Sequence, residues 1–140
     1  MAVQRTCSNY TVPEQPTVAP SEVLPAWITA FNARDLYGIC SLYADDAVLW
    51  GTFSSSLATS TEGVREYFER AFAPAMQASA ELQGIHLQSL GPLVVASGSY
   101  MLTANIAGQR RVLPARFTLV LREGAGSWAI VNHHSSLTPT

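Results

Sequence analysis

Apolar residues fall into two regimes along the chain. From Leu24 to Ala75 they recur at helical spacing; from Ile85 onward they run as extended, β-branched and aromatic segments. Ser21 stands where an N-cap belongs, with Glu22 in the first turn and Leu24, Trp27, Ile28 and Phe31 on one stripe. This predicts a first helix ending near Asn32–Arg34, with Pro25 tolerated in its opening turn. Asp35 caps a shorter helix whose stripe is Leu36, Ile39, Cys40 and Tyr43, stopped by Asp45-Asp46. Residues 47–50 read as a short strand, and the Ser/Thr-rich stretch 51–60 as a loop. Thr61 caps a third helix carrying Val64, Tyr67, Phe68, Ala71, Phe72 and Ala75, the clearest amphipathic pattern in the chain, kinked or ended by Pro74.

Four extended segments follow: 85–90, 93–104, 110–122 and 128–136. Turn signals at Gly91-Pro92, Gly108 and 123–126 separate them. Helices first and hairpin-linked strands afterwards predict an α+β fold with an antiparallel sheet and the helices on one face. Long strands that twist strongly curl into a half-cone, and a pocket opens where the helices fail to fill its mouth. The sheet's other face is then the natural surface for a second copy of the chain. Residues 1–20, with Pro13, Pro16 and Pro20 among polar side chains, predict an extended arm. Residues 21–140 form one domain.

Composition narrows the functions open to such a fold. The 140 residues suffice for a single core, and 48% hydrophobic content excludes disorder over most of the length. All 8 basic residues are arginine and the net charge is −2, so a nucleic acid or an anionic membrane is not the expected partner. Only 13% of residues are charged, which points to a covered face and hence a homodimer through the outer sheet face. Cys7 and Cys40 show no C-x-x-C pattern or metal-ligand spacing, and a Cys7–Cys40 bridge is left open. No signal-peptide pattern opens the chain and no stretch has membrane-spanning length, so a cytoplasmic location is expected. No nucleotide, flavin, nicotinamide or haem motif occurs, so no cofactor is implied, and no three ligands for a metal can be named.

Several segments carry a resemblance: W-I-T-A-F-N-A-R-D at 27–35, L-Y-A-D-D-A-V-L-W-G-T at 42–52, E-G-V-R-E-Y-F at 62–68, P-A-R-F-T at 114–118 and W-A-I-V-N-H-H-S-S at 128–136. Over residues 22 to 139 the chain resembles the nuclear transport factor 2-like, or SnoaL-like, superfamily. Its ending is similar to the branch holding the association domain of calcium/calmodulin-dependent kinase II and small proteins of enediyne antibiotic clusters. The resemblance implies a cone of mixed, strongly curved sheet with three helices over a pocket, usually dimeric. Functions across the superfamily diverge, from isomerases, cyclases, dehydratases and hydrolases to oligomer hubs, so fold does not give function. Ketosteroid isomerase-like members place a carboxylate base just after the segment matching 42–47, where this chain has Trp50-Gly51. They also use a tyrosine on the first helix, where this chain has Trp27. The strands from 85 to 136 carry a single acid, Glu123, in a turn, so no acid is placed for proton abstraction.

Candidate chemistry therefore rests on other groups. Arg116 lies among apolar neighbours on a strand and must meet an anion, a carbonyl or a structural acid such as Glu66 or Glu69. His133 and His134 face opposite sides of their strand, so they cannot share one metal. His134 is placed with Arg116 in the pocket as the catalytic pair, one handling a proton and the other stabilising charge on oxygen; His133 is placed on the dimer side. Trp50, Tyr100 and Phe68, with Arg116 and His134, are the candidate ligand-binding residues. The expected function is to bind a small apolar molecule of polyketide (enediyne) type, as enzyme or accessory binder. The alternatives are a non-catalytic oligomerisation module and an isomerase, cyclase or hydrolase that uses His134.

Overall fold

The computed structural model describes residues 18–140, together with the backbone of two short paired strands, β1 (Thr6–Cys7) and β2 (Tyr10–Thr11). The expected Pro13–Pro16 arm and the Cys7–Cys40 bridge lie outside the described residues. The remaining elements are α1 (Pro20–Asn32), α2 (Leu36–Cys40), β3 (Tyr43–Trp50), α3 (Thr61–Phe72), β4 (Ser79–Leu90), β5 (Leu93–Ile106), β6 (Gln109–Gly124) and β7 (Ser127–Leu137).

The fold is α+β, with three helices and a mixed, strongly curved sheet that stays open. Strand order is β3-β7-β6-β5-β4; β3 runs parallel to β7 and every other pair is antiparallel. The hairpin turns at Ala107-Gly108 and Ala125-Gly126 put two successive residues at positive φ, the conformation that matches the twist of the flanking strands.

Helix starts lie within about one residue of the sequence expectation, but α2 stops at Cys40, with Tyr43 of its expected stripe opening β3, and α3 stops three residues before Ala75. α1 starts at Pro20, not after a Ser21 cap, because the Glu22 carboxylate turns back to accept the Ala19 N–H at 2.9 Å. Asp35 caps α2 as expected, accepting from the Gly38 N–H at 2.9 Å. Ser60, not Thr61, caps α3, and the helix stops at Phe72 because a residue preceding proline avoids the helical region. Asp45-Asp46 does not end a helix. Both residues lie within β3 and face solvent, and Asp46 pairs with Arg122 at 2.9 Å.

The core fills the space between the inner sheet face and the helices. Val23, Leu24, Trp27 and Phe31 of α1 and Val64, Tyr67, Phe68 and Ala71 of α3 meet Leu49, Tyr100, Leu102, Phe117, Leu119, Leu121 and Ile130 from the strands. Aromatic rings dominate this contact: Trp27 stacks on Phe31 at 4.6 Å and on Tyr100 at 5.6 Å between centroids.

Candidate functional site

Strand parity decides which side chains reach the inner face. On β6 the odd residues Ala115, Phe117, Leu119 and Leu121 are buried inward, so Arg116 and Thr118 point out. On β7 the pairing slips between Leu121↔Ile130 and Val120↔Asn132, leaving Val131 as an extra residue. Beyond this bulge His133 and Ser135 point inward and His134 and Ser136 outward.

The inner residues assemble a hydrogen-bonded chain in an otherwise apolar hollow. Trp27 Nε1–H donates to Tyr43 Oη at 3.0 Å, and Tyr43 Oη lies 2.8 Å from His133 Nδ1. His133 Nε2 lies 3.4 Å from Tyr100 Oη, whose hydroxyl donates to Ser135 Oγ at 2.5 Å. Ser135 Oγ is 2.5 Å from Thr52 Oγ1, and Thr52 sits in the loop after β3. Among the described residues no buried side-chain polar atom lacks a partner, and the network runs unbroken from Trp27 to Thr52.

Burial sets the ionisation of these groups. The His133 imidazole is pushed down to about 3, first by desolvation and then by the charge of His134, so it is neutral at physiological pH. Desolvation raises the Tyr43 and Tyr100 phenols well above their ordinary value, and Tyr67 to about 12. At neutral pH the hollow therefore holds neutral donors and acceptors.

Its free space lies in two chambers that share Thr52 and Phe53. The deep chamber, among Trp27, Leu49, Tyr100, His133 and Ser135, measures only about 10 Å³, close to the space of one water molecule. The outer chamber is an open surface groove among Phe53, Met76, Ile106, Arg111, Leu113 and Leu137, with Ile106, Arg111 and Leu137 exposed, and measures about 610 Å³. Phe53 between them stacks on Tyr67 at 6.5 Å, and its N–H donates to Tyr67 Oη at 3.2 Å.

The structure separates the residues singled out by sequence. Tyr100 belongs to the hollow. Phe68 is fully buried against Trp27, Tyr43 and Phe72, a core ring behind the site. Arg116 and His134 do come together, but on the outer sheet face, in a depression of about 410 Å³ with Ser97, Thr118 and Ser136. Trp50, 41% exposed, stands in register with His134 on that same face. The expectation that His134 faces the hollow and His133 the opposite side is thus reversed by the bulge at Val131. Glu66 and Glu69 lie exposed on α3, and among the described residues the ion pair is Arg122–Asp46, so neither acid neutralises Arg116. His86 is exposed on β4, in register with Ser97.

Trp27, Tyr43, His133, Ser135 and Thr52 carry the polar chain without having been assigned to it from sequence. Had the bulge been anticipated, the i, i+2 spacing of His133 and Ser135 would have placed them together. No group of three or more His, Cys, Asp or Glu residues able to hold a metal occurs among the described residues. No helix there is long and apolar enough to cross a membrane.

The geometry has close counterparts. A Xanthomonas campestris protein provisionally described as a calcium/calmodulin-dependent protein kinase II association domain is 26% identical, with TM-score 0.76, covering 91% of this chain and 99% of that one. A ketosteroid isomerase-like protein from Erwinia carotovora atroseptica is 20% identical, with TM-score 0.71 and coverages of 86% and 94%. A Streptomyces avermitilis protein, provisionally described as a dehydratase of the NTF2-like family, is 14% identical with TM-score 0.74, again with coverages of 86% and 94%. No curated protein matches the chain. The profile of the SnoaL-like domain matches residues 21–140, through every helix and all five strands of the sheet, and the chain belongs to that family.

Proposed function

We propose that the hollow receives a small, largely apolar molecule with one polar end. The molecule's body occupies the outer chamber, and its polar end enters the deep chamber beside Thr52 and Ser135. The observation that carries this reading is the buried, neutral chain of polar side chains that ends, at Thr52, beside an open groove with a partly apolar lining. Such a network is costly to bury, and a purely structural core would be served as well by apolar residues of similar volume. Binding pockets characteristically combine an apolar wall with a few convergent polar groups. The resemblance of the chain's ending to small proteins of enediyne clusters, read from sequence alone, makes flat, conjugated polyketide-type molecules the first guests to try.

The test is a titration with such molecules, read by chemical-shift changes residue by residue. Saturable shifts at Thr52, Tyr100 and Ser135 are expected, weakened at least tenfold by Leu113→Trp, which places a bulky ring in the outer chamber. Saturable shifts confined to Arg116 and His134, or none at all, overturn the reading.

A second reading concerns the outer face. Trp50, Val112, Arg116 and His134 lie exposed there, and two structural neighbours are described as association domains. On this reading Arg116 and His134 serve contact with another copy of the chain, with no part in chemistry inside the hollow.

A further inference from the structure

The protons in the buried chain can be counted, and the count has a direction. Trp27 Nε1–H is a donor only, so Tyr43 Oη accepts from it. The Tyr43 hydroxyl then has one proton, and the neighbour in reach is His133 Nδ1 at 2.8 Å. If Tyr43 donates there, the neutral imidazole carries its own proton on Nε2. That proton faces Tyr100 Oη, and the Tyr100 hydroxyl is left free to donate to Ser135 Oγ. Every link is made with one proton each.

The opposite assignment fails on one count. With the imidazole proton on Nδ1, Tyr43 would accept from both Trp27 and His133. Its own buried hydroxyl proton would then have no acceptor among the described residues, and leaving a buried donor unmade is expensive. Trp27 thus sets the direction of the whole relay from one end.

At the other end two hydroxyls, Ser135 and Thr52, share one link. Ser135 already accepts from Tyr100. Whichever of the two donates to the other, one hydroxyl proton is left over, at the junction of the deep and outer chambers. Resting on the reading of the hollow as a binding site, we infer that this terminus is a hydrogen-bond donor awaiting an oxygen acceptor. The guest it selects carries a ketone or aldehyde carbonyl. The deep chamber's volume, about 10 Å³, suits a single oxygen atom and excludes a bulkier polar group. Donors aligned head to tail polarise one another, so the last hydroxyl binds an acceptor more strongly than an isolated serine or threonine would.

Two measurements on the whole protein test this. The first is the ¹⁵N shift pattern of the His133 ring, for which the Nε2–H tautomer is expected; an Nδ1–H tautomer overturns the inference whatever binds. The second compares 2-acetylnaphthalene with its hydrocarbon isostere 2-isopropenylnaphthalene. The ketone is expected to bind about tenfold more tightly, and the Thr52→Val/Ser135→Ala double variant to erase that preference while still binding the hydrocarbon. Equal affinity of the two probes for the wild-type protein overturns the acceptor class but leaves the hollow a binding site. Failure of both probes to bind removes the binding site itself, and the guest class with it.

Discussion

His133 shows how far one residue's surroundings can depart from those of its neighbour in sequence. Fully enclosed by Trp27, Tyr43 and Tyr100, it resists protonation down to about pH 3, against an ordinary value near 6.5. Between those two values the unfolded chain binds a proton that the folded chain does not. Stability is therefore intact above about pH 6.5 and falls as the pH drops below it. The slope from this group approaches about 1.4 kcal/mol per pH unit. Denaturant midpoints measured from pH 7 to pH 4.5 should fall more steeply for the wild type than for His133→Gln. Parallel curves would mean that His133 is not buried as a neutral ring.

At the scale of elements, the sheet carries its own constraints. Gly98 on β5 has no room for a side chain: a Cβ there would collide with the Gly84 carbonyl on β4 and the ring edge of Phe117. The obstacle on one side is backbone, so relaxation means shifting two strands. Gly98→Ala should cost about 3 kcal/mol in chemical denaturation, in the upper range for overpacking. A loss below about 0.5 kcal/mol would contradict the packing. Three helices, the strands β5, β6 and β7 and the turns between them are legible in sequence, because each writes its own period, cap or glycine locally, whereas β4 is legible only over residues 85–90 of Ser79–Leu90. The extent of β3 is less so, since Asp45 and Asp46 are poor strand formers in the irregular stretch between the Tyr43 and Val48 pairings with β7, where Asp46 is held by Arg122. The side chains of the candidate site were the least legible. Val131 leaves no compositional trace of being an unpaired residue, yet it decides which histidine enters the hollow. A period-of-two reading carried across it inverts everything that follows.

For the whole molecule, the two faces of the sheet divide the chemistry. The inner face holds neutral polar groups in a cavity. The outer face holds Arg116, Arg122, His134 and Trp50, open to solvent in the single chain. If copies of the chain meet on this face, reversing charge there separates them. The wild type is expected to sediment as a dimer or larger assembly, and the Trp50→Glu/Arg116→Glu variant as a monomer with unchanged affinity for guests of the hollow. A wild-type monomer at micromolar concentration would remove the second reading and leave the first standing.

The sheet also has a border strand whose design bears on how the protein behaves at high concentration. β4 is twelve residues long, pairs with β5 along one side, and shows Ile85, Leu87 and Leu90 to solvent. A flat strand of that kind would template fibre growth by edge-to-edge addition. The slip between Leu82 and Gly84 breaks its regular ladder after four residues and kinks the border out of line. Restoring an uninterrupted ladder by deleting Gln83 would remove that protection, trading a monodisperse solution for one prone to polymerise.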